Sequence, residues 1–353
     1  MERDSFIIGP EELILVTGAT GFIGRSVVRK LLERGYRKLR AFARPSSDLC
    51  PLQAVIAGYA DTTQVDLLRG NLLSRKDCAA AADGAAAIIH LAAGTGDKSF
   101  PNVFSNSVVA TRNLLEATMA TGILQRFVHV SSFAVYQTRN KPGRLLDESC
   151  PVERHSHLRG DAYCFAKVKQ EEIVQAYAGK FGIPCVVVRP GSVYGPGKKA
   201  ITGRVGLGTF GVFLHLGGSN RIPFTYVDNC ADAIVLAALT RGVEGEVFNI
   251  VDDDLPTSRS FLRLYKRNVE HFRSLYVPHF LSYSLCYLWE KYSAWSQGQL
   301  PPSFNRSRWY SEWKKTRYSN ESLKTGLGWT PKVTMEEGLA RYFEGCREGR
   351  HYA

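Results

Sequence analysis

Short apolar runs punctuate the first half of the chain, and a segment with helical spacing follows most of them. Residues 13–17 (LILVT), 39–43 (LRAFA), 65–69, 87–91 (AIIHL), 126–131 (RFVHVS) and 184–189 (PCVVVR) read as strands rich in β-branched and other apolar side chains. Helical patterns begin near Phe22, cross the alanine run 78–82, and cover 106–120 and about 161–181. The stretch after Arg44-Pro45 reads as a loop, and 140–151 as a Pro/Gly loop. Strands with little polar alternation, separated by helices, predict an α/β fold: a parallel sheet buried under helices on both faces. Right-handed crossovers make such a sheet doubly wound.

Past Pro190 this alternation loosens into Gly-rich segments (191–218) and an aromatic, cationic stretch (263–317). The expected organisation is a dinucleotide-binding Rossmann domain over 1–190, with returning segments near 224–252. A smaller C-terminal α/β substrate-binding subdomain is expected from 191–223 and 253–353.

Of 353 residues, 44% are hydrophobic and 22% charged, which excludes disordered, collagen-like and coiled-coil chains. The net charge of +12 favours anionic ligands or surfaces, and 263–317 carries ten Lys/Arg against three Asp/Glu. Eight cysteines are scattered, with no CxxC and no His at metal-ligand spacing, so neither metal nor disulfide is expected. No apolar stretch is long enough to span a bilayer, and MERDSFIIGPEE does not read as a secretory leader; cytoplasmic placement is the expectation. No nucleic-acid-binding module accompanies the positive charge, so no nucleic-acid partner is expected.

The first strand runs directly into Gly18-Ala19-Thr20-Gly21-Phe22-Ile23-Gly24. Gly18 permits the sharp turn, Gly21 the approach of a pyrophosphate, and Gly24 close packing of the following helix. The helix N-terminus offers free N–H groups to phosphate. An NAD-binding unit usually ends its second strand in an acid; here Arg44 stands there, with Arg25 as a second candidate cation. A guanidinium suits a ribose 2′-phosphate, so NADP(H) is favoured and NAD(H) remains the alternative. Asn71 and Leu72 after the third strand, and Leu91-Ala92-Ala93 after the fourth, extend the pocket for a flat ligand; His90 reads as a core residue.

Tyr163 and Lys167 are one helical turn apart. Interconverting a ketone and a secondary alcohol requires a proton to move with the hydride, and a nearby ammonium lowers a phenol's pKa toward the working range. Ser131 and Ser132 end the fifth strand at the carboxyl edge of the sheet, where a hydroxyl can polarise a carbonyl.

These motifs resemble the extended short-chain dehydrogenase/reductases, which include nucleotide-sugar epimerases and dehydratases, 3β-hydroxysteroid dehydrogenases and dihydroflavonol reductases. TGATGFIG (17–24), HLAA (90–93), Asn106 with NLLEAT (113–118), SSFAVY (131–136), YCFAK (163–167), RPGSVYGPG (189–197), FTYVDN (224–229), VFNIVD (247–252) and LGWTPKVTMEEGL (327–339) carry the likeness over nearly the whole chain. The resemblance implies Tyr163 as the acid/base and Lys167 as its tuner and ribose ligand. It also implies Ser132 as the carbonyl-polarising hydroxyl, with Ser131 in support, and Pro190 and Val193 beside the nicotinamide. Asn71 departs from the acid often found at its position, so an adenine contact there rests on its amide or on the Leu72 backbone.

The resemblance implies reversible hydride transfer at a secondary alcohol/ketone carbon of a small molecule, apolar or anionic. Nucleotide-sugar members often carry Asn where this chain has Ser192, and a diphosphate-binding Arg where it has Ile222; Arg221 lies one residue off. Epimerisation or dehydration of a nucleotide sugar is therefore the second reading, and a non-catalytic dinucleotide sensor the third. The stretch Tyr276–Trp289 could line an apolar substrate pocket or touch a membrane surface; packing on the core as a subdomain helix is favoured over membrane contact. The family often forms homodimers, which is expected here only by that analogy.

Overall fold

The computed structural model describes residues 6–348 except 60–63, 95–98, 138–144, 199–200, 210, 297–298 and 300–303. The first five residues and the start of the loop expected at 140–151 lie outside the described residues.

Seven strands form the main sheet: β1 (Leu13–Thr17), β2 (Lys38–Ala43), β3 (Gln64–Arg69), β4 (Ala85–His90), β5 (Arg126–Val130), β6 (Cys185–Pro190) and β7 (Val247–Ile250). Their order is β7-β6-β5-β4-β1-β2-β3 and every pairing is parallel. The order reverses at β1, whose neighbours are β2 and β4, and a crevice opens there beyond the carboxyl ends of the strands.

Unbroken apolar strands reflect burial on both faces. Ile14 and Val16 of β1, Val128 and Val130 of β5, and Val186 and Val188 of β6 point into one core. Leu15, Phe127, Cys185 and Val187 point into the other. Helix α1 (Phe22–Glu33) and helix α4 (Val227–Leu239) cover the first face, and α4 is buried almost throughout. Helix α2 (Ala110–Thr121) and helix α3 (Ala162–Phe181) cover the second. A fully buried Leu, Ile or Val side chain contributes about 1.5–3 kcal/mol, so these two layers supply most of the apolar driving force.

Beyond β6, Ser192–Tyr194 pairs in parallel with Phe224–Tyr226. A three-stranded sheet of Gly206–Thr209, Val212–His215 and Ser274–Tyr276 follows. Helices α5 (Ser258–Asn268), α6 (His279–Trp295), α7 (Arg306–Glu312) and α8 (Met335–Glu348) complete this part. Aromatic packing among Tyr194, Phe224, Phe261, Tyr265 and Tyr342 holds the paired strands to α5 and α8.

Two segments differ from the pattern reading. The loop expected after Arg44 contains a helix, Cys50–Ala57, which buries only Leu52 and so leaves almost no periodic signal. The helix expected over 106–120 is α-helical only from Ala110; Ser105–Val109 is a π-helical turn, preceded by a short helix at Phe100–Phe104. Hydrophobic spacing does not distinguish a π turn from the α-helix it interrupts.

Candidate functional site

A cleft of about 750 Å3 lies along the carboxyl edge of the sheet. Each contributing strand ends by delivering a piece of wall: Gly18–Gly24 after β1, Ala43 and Arg44 at β2, Asn71 and Leu72 after β3. Leu91–Ala93 follow β4, Ser131 and Ser132 follow β5, and Pro190 closes β6. Tyr163 and Lys167 enter from the first turns of α3, and Val193 from the strand after β6. The cleft thus gathers Gly18, Thr20, Gly21, Phe22, Ile23, Gly24, Arg44, Asn71, Leu72, Leu91, Ala92, Ala93, Ser132, Tyr163, Lys167, Pro190 and Val193 around one space.

The glycine turn leaves no room for side chains. Gly18 has φ of +70°, and a Cβ there would lie 3.0 Å from the Ala92 nitrogen. A Cβ on Gly24 would fall 2.1 Å from the Gly18 carbonyl oxygen. Helix α1 begins with no side-chain cap and no acid in its first turn, so its first N–H groups and positive dipole end remain for an anionic ligand. The buried Ser131 hydroxyl, in the same wall, has no protein hydrogen-bond partner. A side-chain-free cradle at a helix start and an orphaned hydroxyl farther along fit a dinucleotide's phosphates and a polar group beyond them.

Helix α3 is fixed where it matters. The Asp161 carboxylate caps it, accepting from the backbone N–H groups of Tyr163 (3.0 Å) and Cys164 (3.2 Å). Glu171 one turn beyond Lys167 accepts two bonds from Arg189 of β6, at 3.0 and 2.6 Å, both side chains buried. Tyr163 and Lys167 therefore sit on a helix clamped at its start and to the sheet.

The Ser132 hydroxyl accepts from the Ala134 N–H at 3.2 Å and shares the cleft wall with Tyr163. Desolvation by the cleft walls pushes the Tyr163 phenol above its ordinary range; Ser132 works in the opposite direction, and Asp161 adds to the rise. Lys167 donates to the Val130 carbonyl at 2.8 Å, and burial lowers its pKa to about 8 against the upward pull of Glu171. The lysine's donor faces the β5 backbone, and burial is the largest influence on the phenol. Burial thus favours the neutral phenol.

The remaining expected positions fall as follows. Arg44 is exposed at the end of β2, on the rim of the cleft. Arg25 does not join it; it lines a separate hollow with Arg29, Asp228 and Arg341. The Asn71 side-chain oxygen accepts from the Leu73 N–H at 3.0 Å, and the Leu72 carbonyl is taken by Asn113, so both are partly committed to the protein. His90 is a core residue between Thr17 and Thr111, at 2.8 Å on each side, and burial pushes its pKa down to about 3. Residues 276–289 do not line the cleft.

Sequence reasoning missed Lys198, whose Nζ lies 5.6 Å from the centre of the Phe22 ring at the cleft, and the wall formed by Ile201, Phe224, Phe261 and Tyr342. The GPGK run after Tyr194 was a signal for Lys198; the aromatics come from distant segments and had none.

Comparison with known proteins follows the same lines. The NAD dependent epimerase/dehydratase family model matches residues 14–251. A trifunctional UDP-glucose 4,6-dehydratase/UDP-4-keto-6-deoxy-D-glucose 3,5-epimerase/UDP-4-keto-L-rhamnose-reductase of Arabidopsis thaliana is 31% identical over 251 residues, 67% of this chain; the match spans 36% of that protein's length. A 2-alkyl-3-oxoalkanoate reductase of Stenotrophomonas maltophilia is 28% identical over 93% of this chain and 97% of its own. Among solved structures, the UDP-glucuronic acid 4-epimerase of Bacillus cereus, crystallised with UDP-glucuronic acid and NAD, superposes with a TM-score of 0.71. It covers 95% of this chain and 99% of its own at 22% identity, a likeness of fold.

Proposed function

The chain belongs to the NAD dependent epimerase/dehydratase family, and on that premise we propose that it is an NADP(H)-preferring reductase or dehydrogenase acting on a secondary alcohol/ketone pair of a small molecule. The observation that carries the reading is that Ser132, Tyr163 and Lys167 line the same cleft as the glycine turn.

The residues present fit the dinucleotide. The turn at Gly18–Gly24 and the start of α1 would hold its phosphates, Arg44 a 2′-phosphate, Lys167 the ribose beside the nicotinamide, and Pro190 and Val193 would border the ring. The dinucleotide supplies or accepts the hydride. Ser132 donates to the substrate oxygen and fixes it against Tyr163. Tyr163 gives its proton to that oxygen as negative charge develops, and takes it back in the opposite direction. Lys167 holds positive charge next to the phenol's strand wall, limiting the cost of a transient phenolate. The part built from 191–223 and 253–353 would bind the rest of the substrate, with Ile201, Phe261 and Tyr342 as an apolar wall and Lys198 as a cation beside it.

Tyr163→Phe tests the reading. Turnover should fall by about a hundredfold or more while the dissociation constant for the cofactor stays nearly the same; undiminished turnover would remove Tyr163 from the role. Epimerisation or dehydration of a nucleotide sugar is favoured by the 31% identical relative. Against it, Ile222 is buried and Arg221 does not line the cleft. Product analysis separates the two: net consumption of added cofactor supports the reductase, and tightly held cofactor recycled in each turnover supports the epimerase or dehydratase.

A further inference from the structure

Helix α6 (His279–Trp295) is turned the wrong way round for a core helix. Its buried residues are Ser282, Cys286 and Ser293. Phe280, Leu281, Leu285, Leu288, Tyr292 and Trp295 are exposed, with Phe280 at 76%, Leu288 at 61% and Trp295 at 75% of full accessibility. At 100° per residue these six occupy an arc of about 140°, and the small buried residues lie opposite. Trp309 donates to the Ser282 hydroxyl at 2.9 Å, so the inner face is held in part by a polar contact. Leu275 and Tyr276, also exposed, lie on the strand just before the helix.

The surroundings are cationic. The helix's single acid, Glu290, is bound by Arg306 at 2.7 Å, and Glu312 by Arg308 at 3.2 Å. Lys291 is exposed near Tyr287, 5.7 Å from its ring centre, and Arg306 lies 4.8 Å from the same ring. With those two pairs counted, 263–317 keeps a net charge of +7, and Lys291 carries it onto the helix itself. This face of Phe, Leu, Tyr and Trp, with exposed Ser284 and Lys291 also on it, is larger than scattered surface apolar residues explain. Aromatic and aliphatic side chains beside unneutralised cations suit the boundary between acyl chains and anionic headgroups. Among the described residues no helix is long and apolar enough to cross a membrane.

We propose that the exposed face of α6 docks on an anionic lipid bilayer, lying in its surface with Phe280, Leu288 and Trp295 inserted and Lys291 at the headgroups. The occupant is a bilayer and not a second copy because a cationic surface repels its own copy and attracts anionic lipid.

Flotation of the full chain with phosphatidylcholine vesicles, with and without phosphatidylglycerol, tests this. The chain should float with the anionic vesicles, and added salt should weaken the association. A Phe280→Ser/Leu288→Ser/Trp295→Ser variant, with its near-ultraviolet circular dichroism and cofactor affinity unchanged, should lose about tenfold or more of its partitioning. Phe280→Ser alone should lose part of it, and Lys291→Glu should weaken binding to anionic vesicles only. Absence of flotation, or equal flotation of the triple variant, overturns the proposal. So does a wild-type dimer that the triple variant converts to monomer without any vesicle binding.

Discussion

Lys167 is the residue whose environment has the clearest consequence. Its ammonium is buried, tied to the Val130 carbonyl, and titrates at about 8, so its charge is lost within an accessible range. A site that needs this cation should show kcat/KM declining above about pH 8, and Lys167→Arg should displace that decline upward because a guanidinium stays protonated. A pH profile that is flat there, or the same in the variant, would detach Lys167 from the chemistry. Arg44, on the rim without Arg25 beside it, makes a simpler case. Arg44→Asp should move the ratio of NADP to NAD affinities toward NAD by about tenfold or more, measured by fluorescence titration of each cofactor. Glycines, Ser132, Tyr163 and Lys167 were legible in the sequence because their chemistry is tied to residue type. Whether Lys167 faces the phenol or the strand was not, since a four-residue spacing fixes a helix face and not where a flexible ammonium ends.

At the scale of elements, strands were the most legible part, because burial on both faces writes an unmistakable apolar run. Helices were read where one face is buried and missed where, as at Cys50–Ala57, only Leu52 is. The orientation of α6 could not be read, because an aromatic stretch has the same composition whether it faces the core or away from it. Helix α3 depends on the buried Arg189–Glu171 pair, which joins it to β6 behind the site. Glu171→Ala would leave the Arg189 charge buried and alone, and should cost about 3–5 kcal/mol in urea denaturation. Because Glu171 also raises the Lys167 pKa, the same variant should shift the alkaline decline in kcat/KM to lower pH.

Across the whole molecule, Asp252, directly after β7, links segments distant in sequence. Its carboxylate accepts from the Tyr226 N–H at 2.8 Å and the Thr225 hydroxyl at 3.1 Å, tying the main sheet to the small paired strands. Burial outweighs those bonds and raises its pKa to about 7. Between the ordinary aspartate range and about pH 7 the folded chain keeps a proton that the unfolded chain has released. Its contribution to stability is therefore full below that window and disappears as pH rises through about 7. Asp252→Asn should flatten this slope, seen by comparing urea midpoints at about pH 5 and about pH 8. The buried hydrogen bonds around His90 behave in the opposite way. The Thr111 hydroxyl donates to the Ser107 carbonyl at 2.7 Å and accepts from the Gln170 amide N–H at 2.8 Å, so its contact with His90 Nε2 is one it accepts from an imidazole N–H. His90 Nδ1 must then accept from Thr17, leaving the ring a single tautomer. With both ring nitrogens committed and burial lowering its pKa to about 3, His90 stays an uncharged strut between β1 and α2 at any pH where the site would work.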